Sequence, residues 1–428
     1  MHLAFLVIAI IAIAMQGLIL FVALFGPDLE YRVTHVPEVP MNSDEFSRLV
    51  SSLTQTEILR GNAIEVLTNS DCFYEAQLEA ISKAEKSINL EAYIFHRGAI
   101  GERYITALAE RARAGVPVRL TLDYIGCFST PMSYFHELTA AGGRVKWYHS
   151  LRLDLIPQIN NRTHRELMVI DGRVAFIGGA GIADHWYTGE KGKPRWRDTV
   201  LKVEGSLVPS LQAVFAQNWL RVAGEVLTGE EYFQFKGSAK DGTFQDVPGM
   251  TVSSTPAAGS TPARVLFQLL IASAKKRIYI STPYFLPDKS ARLAIIKAVH
   301  ERGVEVKILT PGRRSDQALT RSSSRARYGS LLKNGIEIHE YEPAMIHVKA
   351  MMVDGCWAVV GSTNFDYRSF DLNDEVNLAL LNEPVTERLM ADFERDLADS
   401  KRVTYDEWRK KMRFRLLSRV FSLLDREE

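Results

Sequence analysis

One stretch of this chain occurs twice. HRELMVIDGRVAFIGGAGIADHW begins at His164 and HVKAMMVDGCWAVVGSTNFDYRSF begins at His347, so the second copy starts 183 residues after the first. The same offset joins Asp171 to Asp354 and Ile177 to Val360. Upstream, AEKSINLEAYIF at 84–95 matches AKKRIYISTPYF at 274–285, and RARAGVPVRLTLD at 111–123 matches HERGVEVKILTP at 300–311. A repeat of this length is a duplicated half-domain and not a solenoid unit. Within a half, Phe73, Leu78 and Ile81 follow a helical period ahead of an apolar strand, and GERYITALAERARAGVPVRLTLDYIG repeats helix then strand with Gly115 as the helix stop. Such alternation predicts an α/β layer structure.

The repeated stretch also carries chemistry. In an extended strand residues i and i+2 share a face, so His347 and Lys349 are expected to point into one site as an imidazole beside a fixed cation. That pair suits a phosphate: Lys349 offsets anionic oxygen charge, while Ser362 and Asn364 of the following small-residue turn donate to the same oxygens. A neutral imidazole attacks phosphorus, and a protonated one donates to a leaving alkoxide.

The second copy reads H-x-K-x-x-x-x-D in full, and the chain resembles the phospholipase D superfamily, marked by two such motifs, and within it the bacterial cardiolipin synthases. The tract GSTNFDYRSFDLNDEVNL at 361–378 is similar to the one that follows the second motif in those synthases. The resemblance implies an α/β fold of two phospholipase D-like half-domains about a pseudo-twofold axis, with the motif strands meeting in one site. It implies catalytic roles for His164, Asp171, His347, Lys349 and Asp354, and phosphate or substrate contacts from Ser362, Asn364, Glu166, Glu375 and Arg368. The implied function is a membrane-bound phosphatidyltransferase. It makes cardiolipin from phosphatidylglycerol and a second phospholipid through a phosphohistidine, with no metal and no cofactor. Water as acceptor makes it a phospholipase D instead.

The first copy departs from the family pattern. Glu166 stands where the family has Lys, and Gly181 where the turn Asn belongs, removing two phosphate ligands from one half. A lipid-binding pseudoenzyme is therefore an alternative, opposed by the survival of both His and both Asp. If active, the site is asymmetric: a Glu166 carboxylate beside His164 favours imidazolium and a general-acid role, whereas Lys349 keeps His347 neutral and nucleophilic. Two further carboxylates have two open readings each. Glu91, inside an apolar strand, is a site residue or an ion-paired strand end, and Asp198 orients a histidine or serves as a cap or surface charge.

Charge and cysteines narrow the class. With 52 Lys plus Arg against 51 Asp plus Glu, the net charge of +1 disfavours a polyanion binder, so no nucleic acid is expected as a partner, although a tethered nuclease shares the duplicated motif. The scattered Cys72, Cys127 and Cys356 suggest neither a disulfide framework nor a zinc site.

The termini point to a membrane. Leu3 to Phe25 carries no charge and is long enough to span a bilayer, giving an uncleaved anchor at 1–27. The run is too long for a signal-peptide core, and no Lys or Arg precedes it. Arg32 beyond it favours a cytoplasmic catalytic part in a bacterial cell membrane. The remaining divisions are a linker with a short polar helix at 28–60, half one at 61–224, a Gly/Ser/Thr/Pro-rich seam at 225–262 and half two at 263–400. Residues 401–428 read as a basic amphipathic helix on an anionic membrane, with Trp408, Met412, Leu416, Val420 and Leu424 on one face and Arg409, Lys410 and Arg413 opposite; a docked partner helix has the same pattern. Arg313, Arg314, Arg321, Arg325 and Arg327 either gather anionic headgroups or form a solvated helix face.

Overall fold

Both copies of the repeat fold into a sheet with one strand order. The computed structural model describes residues 30–149, 161–190, 192–234, 242–256 and 261–410. The first half supplies β1 (Asn62–Thr68), β2 (Ile88–Ala92), β3 (Val118–Asp123), β4 (Arg144–Tyr148), β5 (Arg162–Thr163), β6 (Leu167–Ile170), β7 (Val174–Gly178) and β8 (Thr199–Gly205). The second supplies β9 (Gly249–Ser254), β10 (Arg277–Ser281), β11 (Phe285–Leu286), β12 (Glu305–Pro311), β13 (Glu337–Tyr341), β14 (Ala350–Val353), β15 (Trp357–Gly361), β16 (Phe365–Asp366), β17 (Asn373–Leu381) and β18 (Ser400–Val403). Sheet one runs β1-β8-β7-β6-β2-β3-β4, and sheet two runs β9-β17-β15-β14-β10-β12-β13-β18. In each, three consecutive strands are parallel, β2-β3-β4 and β10-β12-β13, and the other neighbours are antiparallel, with β18 added at the edge of sheet two.

The motif hairpins show why the Asp-Gly step recurs. Asp171 and Gly172 have φ of 54° and 61°, Asp354 and Gly355 have 53° and 76°, and the amide of the third loop residue closes each turn onto Ile170 or Val353. Two successive left-handed residues make a type I′ turn, whose twist matches antiparallel strands. From these turns both hairpins run toward the histidines.

Alternation then fixes the layers. Leu167, Val169, Ala175 and Ile177 of β6 and β7 face a central apolar cluster, as do Ala350, Met352, Ala358 and Val360 of β14 and β15. Their neighbours Met168, Ile170 and Phe176 face the outer core of half one, and Met351, Val353, Trp357 and Val359 that of half two. The central cluster draws on both sheets and on the helices Leu207–Ala223 and Glu383–Ala398, so the halves share one core. Each fully buried Val, Leu or Ile in it contributes about 1.5–3 kcal/mol.

Backbone pairing across the halves is reciprocal. β5 pairs parallel with the start of β17, Arg162 opposite Asn373, while Arg197 ahead of β8 bridges in parallel to Ile346. Each motif histidine is thus carried to the first residues of a strand in the other half.

Three boundaries move. The seam at 225–262 contains β9, buried along almost its whole length and paired with β17, so half two begins earlier than composition suggests. The linker helix Asp44–Thr54, capped by Ser43, packs Phe46 and Val50 into half two, and the Trp357 indole donates to the Met41 carbonyl at 2.8 Å. A segment preceding half one therefore completes the core of half two. Residues 400–403 form the edge strand β18 instead of opening a membrane helix, and Trp408 is buried with its indole N–H on the Arg325 carbonyl. The expected anchor at 1–27 and the remainder of the terminal helix from 411 lie outside the described residues. Among the described residues no helix is long and apolar enough to cross a membrane.

Candidate active site

The cross-half pairing brings His164 and His347 to one cleft of about 760 Å³. His347 Nδ1 lies 3.0 Å from Asp198 Oδ2, and His164 Nδ1 lies 3.0 and 3.2 Å from the two oxygens of Glu375. Each carboxylate comes from the opposite half and occupies the equivalent step, Asp198 immediately ahead of β8 and Glu375 near the start of β17. A carboxylate at Nδ1 sets the tautomer with Nε2 as the reacting nitrogen.

The carboxylates are themselves held, by different groups in the two halves. Ser362 donates its hydroxyl to Glu375, accepts the Val376 N–H at 3.0 Å, and is fully buried. Asp198 instead receives the Trp186 indole N–H at 3.0 Å and the Thr199 N–H at 2.8 Å. Gly179 occupies the position of Ser362 in the first repeat. A Cβ there would stand 2.9 Å from Asp198 Oδ1 and 3.0 Å from Lys349 Nζ, so the space belongs to those groups. A Cβ on Gly181 would meet Glu166 Oε1 at 3.1 Å and the Ile94 carbonyl oxygen at 2.7 Å. The departures of the first motif therefore fit one another in space: the glycines make room for the Lys349 ammonium and the Glu166 carboxyl.

Electrostatics separates the two rings' neighbours. Lys349 Nζ lies 2.9 and 3.1 Å from the ring nitrogens of His347 and donates to its carbonyl. Burial, then Lys349, then His164 hold the His347 pKa well below the usual histidine range, leaving the ring neutral. Burial also lowers Lys349, opposed by Asp198, Glu375, Glu166 and Asp316. Glu166 accepts the N–H groups of Tyr93 and Ile94 at 3.1 and 3.2 Å, yet burial raises its pKa well above the carboxylate range. Burial works against charge on Glu166, which undercuts the sequence argument that it favours imidazolium on His164; the carboxyl at that ring is Glu375.

Several expected site residues take other places. Asp171 accepts the backbone N–H groups of Glu85, Lys86 and Ser87, and Asp354 those of Lys275, Lys276 and Arg277. Both stand at the far ends of their hairpins, tying each turn to the strand beside it, and neither lines the cleft. Their catalytic assignment gives way to a structural one. Glu375 contacts His164, and Ser362 contacts Glu375. Asn364 and Arg368 do line the cleft, and Asn364 Oδ1 is buried without a hydrogen-bond partner. Glu91 accepts from Thr163 and Asn218, and burial pushes it up to about 7; it is a buried network residue away from this cleft.

Among the arginines of 313–327 only Arg327 lines the cleft, whereas Arg321 and Arg325 pair with the buried Glu340. Sequence reasoning missed Tyr93, Trp186 and Trp196, whose rings lie 5.1 Å from His164 and 5.2 and 5.4 Å from His347, and Arg162. The match of Asp198 to Glu375 was available in the sequence but hidden, because it falls at an offset of 177 and not 183.

A duplicated α/β fold that presents one carboxylate-held histidine from each half defines an enzyme class built for phosphodiester transfer. Residues 77–190 and 268–397 match the family model described as "Cardiolipin synthase, PLD-like domain". A cardiolipin synthase of Geobacillus sp. (strain WCH70) is 33% identical over 402 residues, covering 94% of this chain and 79% of that protein. Cardiolipin synthase 2 of Bacillus anthracis is 33% identical over 381 residues, covering 88% and 73%. The chain belongs to the phospholipase D-like cardiolipin synthase family. In fold it is similar to the phosphatidylserine synthase of Haemophilus influenzae Rd KW20, with TM-score 0.66 at 14% identity over 90% of this chain and 100% of that one. Polyphosphate kinase of Porphyromonas gingivalis gives TM-score 0.54 at 12% identity over 90% and 54%.

Proposed function

We propose that this protein is a phosphatidyltransferase that makes cardiolipin from phosphatidylglycerol and a second phospholipid, with His347 as nucleophile and His164 as general acid and base. The supporting observation is the reciprocal arrangement in which each half supplies the carboxylate for the other half's histidine, with the Lys349 ammonium 2.9 Å from a ring nitrogen of His347. His347 Nε2 attacks the donor phosphorus, the bond from phosphorus to the headgroup oxygen breaks, and His164 gives its proton to the departing alkoxide. His164 then takes the proton of the acceptor hydroxyl, whose oxygen attacks phosphorus and releases His347. Lys349 and Asn364 offset charge on the non-bridging oxygens. If donor and acceptor are both phosphatidylglycerol, glycerol leaves and no net charge is created.

The membrane reading belongs to the same proposal: an uncleaved anchor at the N-terminus holds the catalytic part at the cytoplasmic face of a bacterial membrane. Purified protein incubated with labelled phosphatidylglycerol is expected to form a two-phosphate lipid and free glycerol, identified by mass. Phosphatidic acid as sole product would make the enzyme a hydrolase. A lipid analogue with a good leaving group needs no acid, so His164→Ala should still trap phosphohistidine and His347→Ala should not; label on His164 reverses the roles.

A further inference from the structure

The two ends of the cleft differ although the halves are duplicates. At the His164 end Arg162 and Arg368 line the wall. The positions 183 residues away in the other repeat are held by Met345 and His185. Arg162 is 3% exposed and sits in β5, whose pairing with Asn373 sets it beside the segment that follows the helix Tyr367–Asp371. An arginine from each half is thus brought to one place by the same pairing that delivers His164. Burial lowers the Arg368 pKa and the charge of Arg162 adds to the lowering, against Tyr93, Asp366 and Asp123. Both guanidinium groups act on the phenol of Tyr93, whose ring abuts His164. Asp123 stands 3.6 Å from Arg162 Nη1, and its oxygens accept the backbone N–H groups of Ile125, Gly126 and Thr163.

The two equivalent positions of the other repeat carry no arginine. Met345 is buried, and His185 is pushed down to about 3 by burial and by the neighbouring His96 and His347, so its ring is neutral. It packs between Trp186 and Trp196, at 4.3 and 4.0 Å.

An anionic group on this wall would gain from both guanidinium groups. The planar guanidinium forks match the oxygens of a phosphodiester. Displacement at phosphorus is in line, so entering and leaving groups lie on opposite sides. With phosphorus on His347, the departing alcohol and the acceptor hydroxyl both use the His164 side. The acceptor's own phosphate then falls on the wall that carries the arginines. We infer that Arg162 and Arg368 form a subsite for the non-reacting phosphodiester of a lipid acceptor, so that the enzyme selects an acceptor already bearing a phosphate. This rests on the reading of His347 as nucleophile; no bond to the subsite phosphate forms or breaks.

The test compares two acceptors in mixed micelles with the full-length protein and phosphatidylglycerol as donor. Cardiolipin formation reports the lipid acceptor, and incorporation of labelled glycerol into phosphatidylglycerol reports an acceptor without phosphate. In Arg162→Gln and Arg368→Gln the ratio of cardiolipin to glycerol exchange should fall about tenfold or more, through a raised KM for the lipid acceptor, and Arg368→Lys should recover part of it. Thermal melts close to wild type show that the variants fold. An unchanged ratio, or equal loss of both activities, overturns the subsite. Wild-type protein that forms neither product would overturn the transferase reading itself, a separate failure visible in the control.

Discussion

Asp198 Oδ2 stands 3.0 Å from Nδ1 of His347, although the two residues belong to different repeats. Glu375 returns the relationship to His164. Neither motif histidine takes its carboxylate from its own half, so the chemistry exists only where the halves meet. That couples activity to the shared core: a substitution that loosens the central cluster separates each ring from its carboxylate before either half loses its own outer core.

Asp198→Asn and Glu375→Gln keep the shape of each contact but remove the acceptor that sets the ring tautomer. Each should lower kcat by about 10²–10⁴-fold with little change in KM. Steady-state kinetics on phosphatidylglycerol measures this, and a change confined to KM would assign the carboxylates to substrate binding.

Ser362→Ala should separate positioning from phosphate contact. Its hydroxyl reaches Glu375 and not the cleft, so the variant weakens the acid step through His164. A burst of nitrophenol from a nitrophenyl phosphatidate, which needs no acid, should stay close to wild type. On the natural lipid the same variant should be slower by about 10–10²-fold. Asn364→Ala, by contrast, removes a cleft group and should slow both donors.

Asp171 and Asp354 should matter for stability far more than for chemistry. Each gathers three backbone N–H groups, at φ values of 54° and 53° that Asn tolerates and Ala does not. Replacement by Ala is expected to cost about 2–4 kcal/mol in denaturant unfolding, and replacement by Asn less. The folded fraction of Asp354→Asn should turn over at nearly the wild-type rate. A large loss of kcat in fully folded protein would restore the catalytic assignment.

Glu91 predicts a pH dependence of stability. Burial raises it from 4.5 to about 7, so between those values the folded state binds more protons than the unfolded state and stability falls as pH rises. The loss is on the order of 2–3 kcal/mol across that window. Glu91→Gln should remove this share of the slope between pH 5 and 8 in thermal or denaturant melts, leaving the slopes of the other buried carboxylates in place. An identical slope in the variant would mean that Glu91 titrates normally.

Much of this molecule was legible in its residues. The 183-residue offset and the alternation of helical periods with apolar strands point to two equivalent α/β halves, because helix and strand patterns are local. The histidines and Lys349 were legible for the same reason, since they lie within one short extended run.

What the sequence could not decide is which group each of those residues meets. His164 and Glu375 are 211 positions apart and His347 and Asp198 are 149 apart, and only the packing of one sheet against the other closes those distances. The family resemblance implied chemistry for the motif Asp residues, which hold turns. Composition marked 225–262 as a seam when part of it is a strand, and local pattern marked Glu166 as a charge that burial opposes. Each of these depends on long-range contacts and on how much water remains around a group. Hydrogen-bond partners and solvation are properties of the assembled fold, whereas periodicity and turn chemistry are properties of the chain.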